Sequence, residues 1–238
     1  MFYRLLLLLY VNYYSVCTVF NNIAWQIGFI YIPLQQKMKQ KHFIMAKKNQ
    51  LTTSDYLEYS EYERLLDSLH THGKYIWELY ARLSFCTACR ASDVLHFHWK
   101  DVLDVSSCTV TEQKTKKTRT IPFNKSVQKK IHDLYVLLGS PDKSEFIFKS
   151  KVTGEPLTIQ CVNKKLKDFK YDYKVKIGNF STHTFRKTFG RYVYETNNRS
   201  AEALVLLNKI LNHTSIQITK TYIGITQDEI NNIFESIK

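Results

Sequence analysis

From residue 45 onward the chain reads as helix-length runs broken by one clear β signal, and that signal most constrains the fold. "SCTVTEQ" and "TRTIPF" are rich in β-branched residues and flank "KTKK". This pattern predicts two short strands joined by a tight tip at residues 114–117. The stretches around it carry apolar residues at helical spacing. Ser60 and Glu63 have the spacing of a capping box before "RLLDSL". Gly73 separates that helix from "KYIWELYARLSFCTA", and "ASDVLHFHWKDV" reads as a further helix ending near Trp99. Ser126 is positioned to cap "SVQKKIHDLYVLL", which Gly139 and Pro141 stop. "EFIFKS" suggests another short strand, and "LTIQCVNKKLKDF" and "SAEALVLLNKIL" suggest helices. Ile230, Ile233, Phe234 and Ile237 give "TQDEINNIFESI" an amphipathic pattern. The expected class is therefore α+β, mainly α-helical, with a small antiparallel β-sheet.

A length of 238 residues is ample for a real core, and only four prolines and seven glycines leave no room for a long flexible linker. Lys and Arg total 34 against 21 Asp and Glu. Such an excess points to a polyanionic partner, nucleic acid before an anionic membrane surface.

The first 44 residues differ from the rest. Phe2 to Leu34 is apolar with Arg4 as its only charge, long enough to span a bilayer. Asn12, Asn21, Asn22, Gln26 and Pro33 interrupt it, and no clean small-residue cleavage site follows. Met45 begins a stretch of ordinary soluble character. The expectation is an apolar N-terminal extension over 1–44, a mis-assigned start or a membrane segment, ahead of a functional domain over 45–238. Taking its four basic residues from the 34 leaves 30 against 21 acidic ones, so the basic argument survives.

Five cysteines at irregular spacing suggest no disulfide framework. Cys86 and Cys89 form a CxxC, but no second ligand pair exists for zinc, and the flanks read as helix rather than a redox motif. Small buried thiols fit better.

Four separated elements carry phosphate chemistry. Arg90 follows an apolar helix, with Asp93 three residues on. Lys114 starts the hairpin tip. His183 and Arg186, three residues apart, share one helix face. His213 stands nine residues before Tyr222. Guanidinium forks match the non-bridging oxygens of a phosphodiester. A phenol can attack phosphorus, but with an ordinary pKa of about 10 it needs neighbouring cations and a proton acceptor, for which His183 is suited. His213 can donate a further hydrogen bond, and Asp93 is expected to orient Arg90 or His183. No carboxylate cluster suits a two-metal site, so neither metal nor cofactor is expected.

In this order the motifs resemble the catalytic domain of the tyrosine recombinases, the phage-integrase-like family. "FCTACRASDVLHFHWKDV" resembles its first-arginine motif, "KTKKTRTIP" its hairpin-lysine motif, "HTFRKTF" its His-x-x-Arg box and "LNHTSIQITKTYI" its late His and nucleophile. The resemblance covers most of residues 56–238. It implies the DNA breaking-rejoining fold. The catalytic set it implies is Arg90, Lys114, His183, Arg186, His213 and Tyr222. It also implies that Lys114 protonates the departing 5′ oxygen and that the product is a 3′-phosphotyrosine. Double-stranded DNA is the implied partner, with a homotetramer on two DNA sites, accessory DNA-binding proteins, and a cytoplasmic, nucleoid-associated location. Two departures occur inside the motifs: Asn212 stands where the family usually has Gly, and Lys187 follows the box arginine where His is common. Many relatives also carry an N-terminal core-binding domain, which residues 1–44 do not resemble. A type IB topoisomerase-like enzyme and a non-catalytic DNA-binding accessory or partial recombinase stay open as alternatives.

Overall fold

The computed structural model describes residues 54–225 and 234–237. These belong to one compact unit of the chain. The expected N-terminal extension lies outside the described residues, as does most of the C-terminal "TQDEINNIFESI".

The helices are α1 (Tyr59–Thr71), α2 (Tyr75–Thr87), α3 (Ala91–Leu95) and α4 (Trp99–Val102), followed by strands β1 (Ser107–Thr111) and β2 (Thr118–Pro122). After them come α5 (Lys125–Leu137), α6 (Ile159–Asp172), α7 (Thr184–Thr196), α8 (Ala201–Ile210) and α9 (Ile216–Tyr222). Helix α2 is the centre. Leu79, Tyr80, Ala81 and Leu83 bury it on most of its circumference, and it packs against α1, α5 and α7. Helix α7 also packs on α8, and α8 on α9. Two apolar clusters result. The larger joins α1 to α6 around Trp99, Tyr80, Phe148 and Phe169. The smaller, around Leu207, Leu211 and Ile223, seats α8 and α9.

The hairpin forms as expected. β1 and β2 pair antiparallel with Val110 opposite Arg119 and Thr111 opposite Thr118. The tip closes through Glu112 N–H to Lys117 O at 2.9 Å and Lys116 N–H to Glu112 O at 2.8 Å. Gly73 and Gly139 both have positive φ, +64° and +86°, and end α1 and α5 as their positions suggested.

Four local expectations need correction. No capping box forms at Ser60 and Glu63: α1 starts at Tyr59, with Glu58 as a cap lacking a side-chain bond. The Tyr59 ring packs on Tyr192 at 4.4 Å, which draws the helix start forward past Ser60. Ser126 does not cap α5. Asn124 does, accepting from Val127 N–H at 2.9 Å. "ASDVLHFHWKDV" is two short helices, not one. Phe97 turns into the core and its carbonyl accepts from Ile147 N–H at 2.9 Å, which breaks the helix at residues 96–98. "EFIFKS" makes only isolated bridges, His98 to Phe146 and Lys149 to Pro156, because its Ile147 and Phe148 serve the core rather than a ladder.

Candidate active site

Two helix ends converge to make the floor of the site. The last carbonyls of a helix have no partner within it and attract cations. Helix α2 ends in Ala88, a non-glycine residue in the left-handed region at φ 48°, which turns its carbonyls outward. Helix α8 ends at Leu211, followed by Asn212, also left-handed at φ 51°. Two arginines bridge the ends. Arg186 is 3% exposed and donates to Ala88 O and Leu211 O, both at 2.6 Å. Arg119 donates to Ile210 O at 2.8 Å and to Thr87 O and Ala88 O at 3.2 Å. Each terminal nitrogen of Arg186 has a hydrogen left over after these bonds, besides Nε–H.

Arg90 caps the start of α3, and its Nη1 meets Glu112 Oε2 at 2.6 Å. Glu112 is 1% exposed and takes further bonds from Thr115 Oγ1 at 2.6 Å and Asn212 Nδ2 at 3.0 Å. Burial opposes its charge. The bonds from Thr115, Asn212 and Arg90 together with the Arg90 charge outweigh that and hold its pKa at about 2.

Tyr222 is the last residue of α9. Its ring lies 5.9 Å from the Arg186 guanidinium and 5.2 Å from the Lys187 ammonium. The phenol oxygen is buried and, among the described residues, has no hydrogen-bond partner. Burial raises its pKa, while the Arg186 charge, the approach of an Arg186 N–H to the phenol oxygen and the Arg90 charge pull the other way. The His213 ring meets the Tyr222 ring edge-on, centroids 4.9 Å apart. His213 Nδ1 lies 3.0 Å from Thr219 Oγ1, which itself donates to Asn208 Oδ1 at 3.0 Å. Thr219 therefore accepts from His213, so Nδ1 carries the proton and Nε2 the lone pair. Burial, then Arg186 and Arg90, lower the His213 pKa to about 4.

His183 sits at the N-cap of α7 with an open face, and its ring has no hydrogen-bond partner among the described residues. Its pKa is depressed, first by partial desolvation of the ring, although the residue remains exposed, and then by Arg186, Lys187 and Arg90. Arg90 and Arg186 are thus each within electrostatic reach of His183, His213 and Tyr222.

Lys114 lies on the exposed hairpin tip, and among the described residues nothing bonds its ammonium. The Asp93 backbone N–H donates to Arg90 O at 2.9 Å, but, against expectation, its carboxylate makes no hydrogen bond to the Arg90 guanidinium or to His183. Asp93 is 4% exposed and accepts Gln113 N–H at 2.9 Å, holding the hairpin backbone instead. Its place beside Arg90 belongs to Glu112. Sequence reasoning missed Glu112 and the bridging role of Arg119. The signal was present, since Cys108, Val110 and Glu112 alternate along the buried face of the strand, which leaves a carboxylate pointing inward. Cys89 is a buried free thiol, as expected, while Cys86 is only half-buried; desolvation raises both, Cys86 to about 12. Among the described residues no three His, Cys, Asp or Glu side chains gather as a metal site.

The model of the phage integrase family matches residues 55–229, nearly three quarters of the sequence. The chain belongs to the phage integrase family. As an integrase-family chain it is 35% identical over 142 residues to the probable integrase/recombinase YoeC of Bacillus subtilis strain 168, covering 60% of this chain and 74% of that protein. In fold it is similar to XerA recombinase, with a TM-score of 0.58 at 19% identity, covering 76% of this chain and 64% of XerA. XerH recombinase in a post-cleavage complex with difH DNA gives 0.58 at 16% identity, covering 77% of this chain and 53% of XerH. Lambda integrase bound to DNA gives 0.54 at 19%, covering 74% and 62%. The chain thus spans between half and two thirds of the length of these three solved relatives. At such identities the likeness concerns the fold: mostly helical, with one small antiparallel sheet. Among the described residues no helix is long and apolar enough to cross a membrane.

Proposed function

We propose that this protein is a site-specific DNA recombinase that cleaves and rejoins duplex DNA through a 3′-phosphotyrosine on Tyr222, with residues 45–238 as the catalytic domain. The observation that carries this reading is the packing of Arg186, Lys187 and His213 around the Tyr222 ring, with Arg90 and His183 within electrostatic reach of Arg186, in a chain of the integrase family.

The chemistry follows from the groups in place. A phosphodiester entering the site brings negative charge to the leftover donors of Arg90 and Arg186. Tyr222 Oη attacks phosphorus, forming the tyrosyl ester, and the P–O5′ bond breaks. The phenolic proton passes to His183, whose depressed pKa favours the neutral imidazole that can accept it. Lys114 gives a proton to the departing O5′. His213 as found presents a lone pair on Nε2, so it donates to the phosphate only after taking up a proton. Phosphate charge favours that by raising its pKa from about 4. One phosphate ester replaces another, so attack by a 5′ hydroxyl reverses the step and no nucleotide cofactor is needed.

Joining two duplexes calls for paired exchanges, hence a homotetramer on two DNA sites, acting at the nucleoid in the cytoplasm with or without accessory DNA-binding proteins. Integration, excision and inversion all use this step. The test is a supercoiled plasmid carrying two copies of the DNA that flanks the gene. Rearranged product circles support recombination. Relaxation without rearrangement or sequence preference supports the type IB topoisomerase-like alternative. Binding without any strand cleavage supports the accessory one.

A further inference from the structure

A general acid must reach its target within hydrogen-bond distance, and an error of about 1 Å costs about a hundredfold in rate. Lys114 is carried on the tip of a two-stranded hairpin, which is marginal on its own. Something must fix that tip.

The residues on either side of Lys114 are fixed. One oxygen, Glu112 Oε2, accepts from Thr115 Oγ1 at 2.6 Å, Arg90 Nη1 at 2.6 Å and Asn212 Nδ2 at 3.0 Å. Asn212 also reaches Thr115 Oγ1 at 3.3 Å and accepts from Lys117 Nζ at 3.3 Å. The carboxylate is buried and bound from three separate elements: the first-arginine turn, the hairpin tip and the turn that leads into His213. Asn212 holds φ 51°, a conformation that glycine adopts without strain. A glycine there would keep the backbone but lose the bonds of the Asn212 side chain to Glu112, Thr115 and Lys117. The asparagine side chain therefore does something the backbone does not require.

We infer that Glu112 and Asn212 are a positioning pair that locks the hairpin tip to the Arg90 and His213 turns, so that Lys114 is delivered to the leaving oxygen. Neither residue touches the reacting atoms. The inference rests on Lys114 acting as the acid in the proposed reaction.

The test measures single-turnover formation of the protein–DNA adduct on nicked duplexes from the gene's flanks. Two substrates are used, one with the ordinary phosphodiester and one with sulfur in place of the bridging 5′ oxygen. The thiolate leaves without an acid. Asn212→Gly and Glu112→Gln are compared with the parent and with Lys114→Ala, and thermal melting checks that each is folded. Asn212→Gly and Glu112→Gln should slow on ordinary DNA by about ten- to a hundredfold and recover the parent's rate on the sulfur substrate. Lys114→Ala should behave likewise.

An unchanged rate for Asn212→Gly on ordinary DNA overturns the inference. Equal slowing on both substrates also overturns it, because the pair would then serve Arg90 or the fold rather than Lys114. Failure of sulfur to rescue Lys114→Ala removes the acid and the positioning role with it. A parent that forms no adduct on either substrate refutes the proposed function itself.

Discussion

Gly190→Ala should weaken the seat of the nucleophile even as it improves the helix beneath it. Gly190 lies in the middle of α7, where alanine is favoured over glycine by about 1 kcal/mol. A Cβ at this position would stand 2.7 Å from Ile223 Cγ2 and 3.8 Å from Leu211 Cδ1. The first distance is well inside van der Waals contact, and Ile223 and Leu211 are both fully buried. Forcing a methyl into a packed core costs about 1–3 kcal/mol. Subtracting the helix gain leaves a net loss of about 1 kcal/mol. In a domain of this size that lowers the melting temperature by about 2–4 °C. The effect on chemistry should be larger, because Ile223 follows Tyr222 and its displacement moves the phenol. Adduct formation should fall by about tenfold or more. Ile223→Leu in the Gly190→Ala background moves the branch away from Cβ at constant volume and should restore both. Calorimetry and a single-turnover cleavage assay read the two effects. A Gly190→Ala protein that melts higher than the parent and cleaves at the same rate would refute this packing argument.

Other expectations follow from single groups. Tyr222→Phe removes a buried oxygen that no well-formed hydrogen bond satisfies and that only an Arg186 N–H approaches, so denaturant unfolding should show stability changed by no more than about 1 kcal/mol. Glu112 has a folded pKa of about 2 against an ordinary 4.5, so its ionised form stabilises the fold above pH 4.5, and that contribution disappears as pH falls through about 2. Glu112→Gln should therefore be less stable than the parent at pH 7, with the two stabilities converging between pH 4.5 and 2. Following the His213 ring by NMR should show it neutral down to about pH 4, with phosphate or DNA moving the titration upward.

Much of this was legible in the sequence, for identifiable reasons. The hairpin was readable because strand propensity and a basic tip coincide within 17 residues, 107–123. The catalytic candidates were readable because each sits in a short local motif. Boundaries failed where tertiary packing decided them. Tyr59 joined α1 for the sake of the Tyr192 ring, and Phe97 left its helix for the core. Glu112, Thr219 and Asn208 are invisible to motif reading for another reason. Glu112 acts on Arg90 and Asn212 across long stretches of chain, and the Asn208–Thr219–His213 chain exists only once α8 and α9 fold together. Asp93 misled because spacing placed a carboxylate near Arg90, while the fold spends it on Gln113 N–H.

The central claim is that Tyr222 becomes covalently joined to the 3′ end of cleaved DNA. The most direct measurement incubates the parent and Tyr222→Phe proteins with nicked duplex from the gene's flanks, labelled on the strand that retains the 3′ phosphate. The 5′ fragment is released on cleavage, and denaturing gels then resolve protein from DNA. A labelled band at the mass of protein plus DNA with the parent, digestion to a single modified peptide containing Tyr222, and no band with Tyr222→Phe is the expected result. A band that persists in Tyr222→Phe, or a label that joins only when placed on the 5′ fragment, would contradict it.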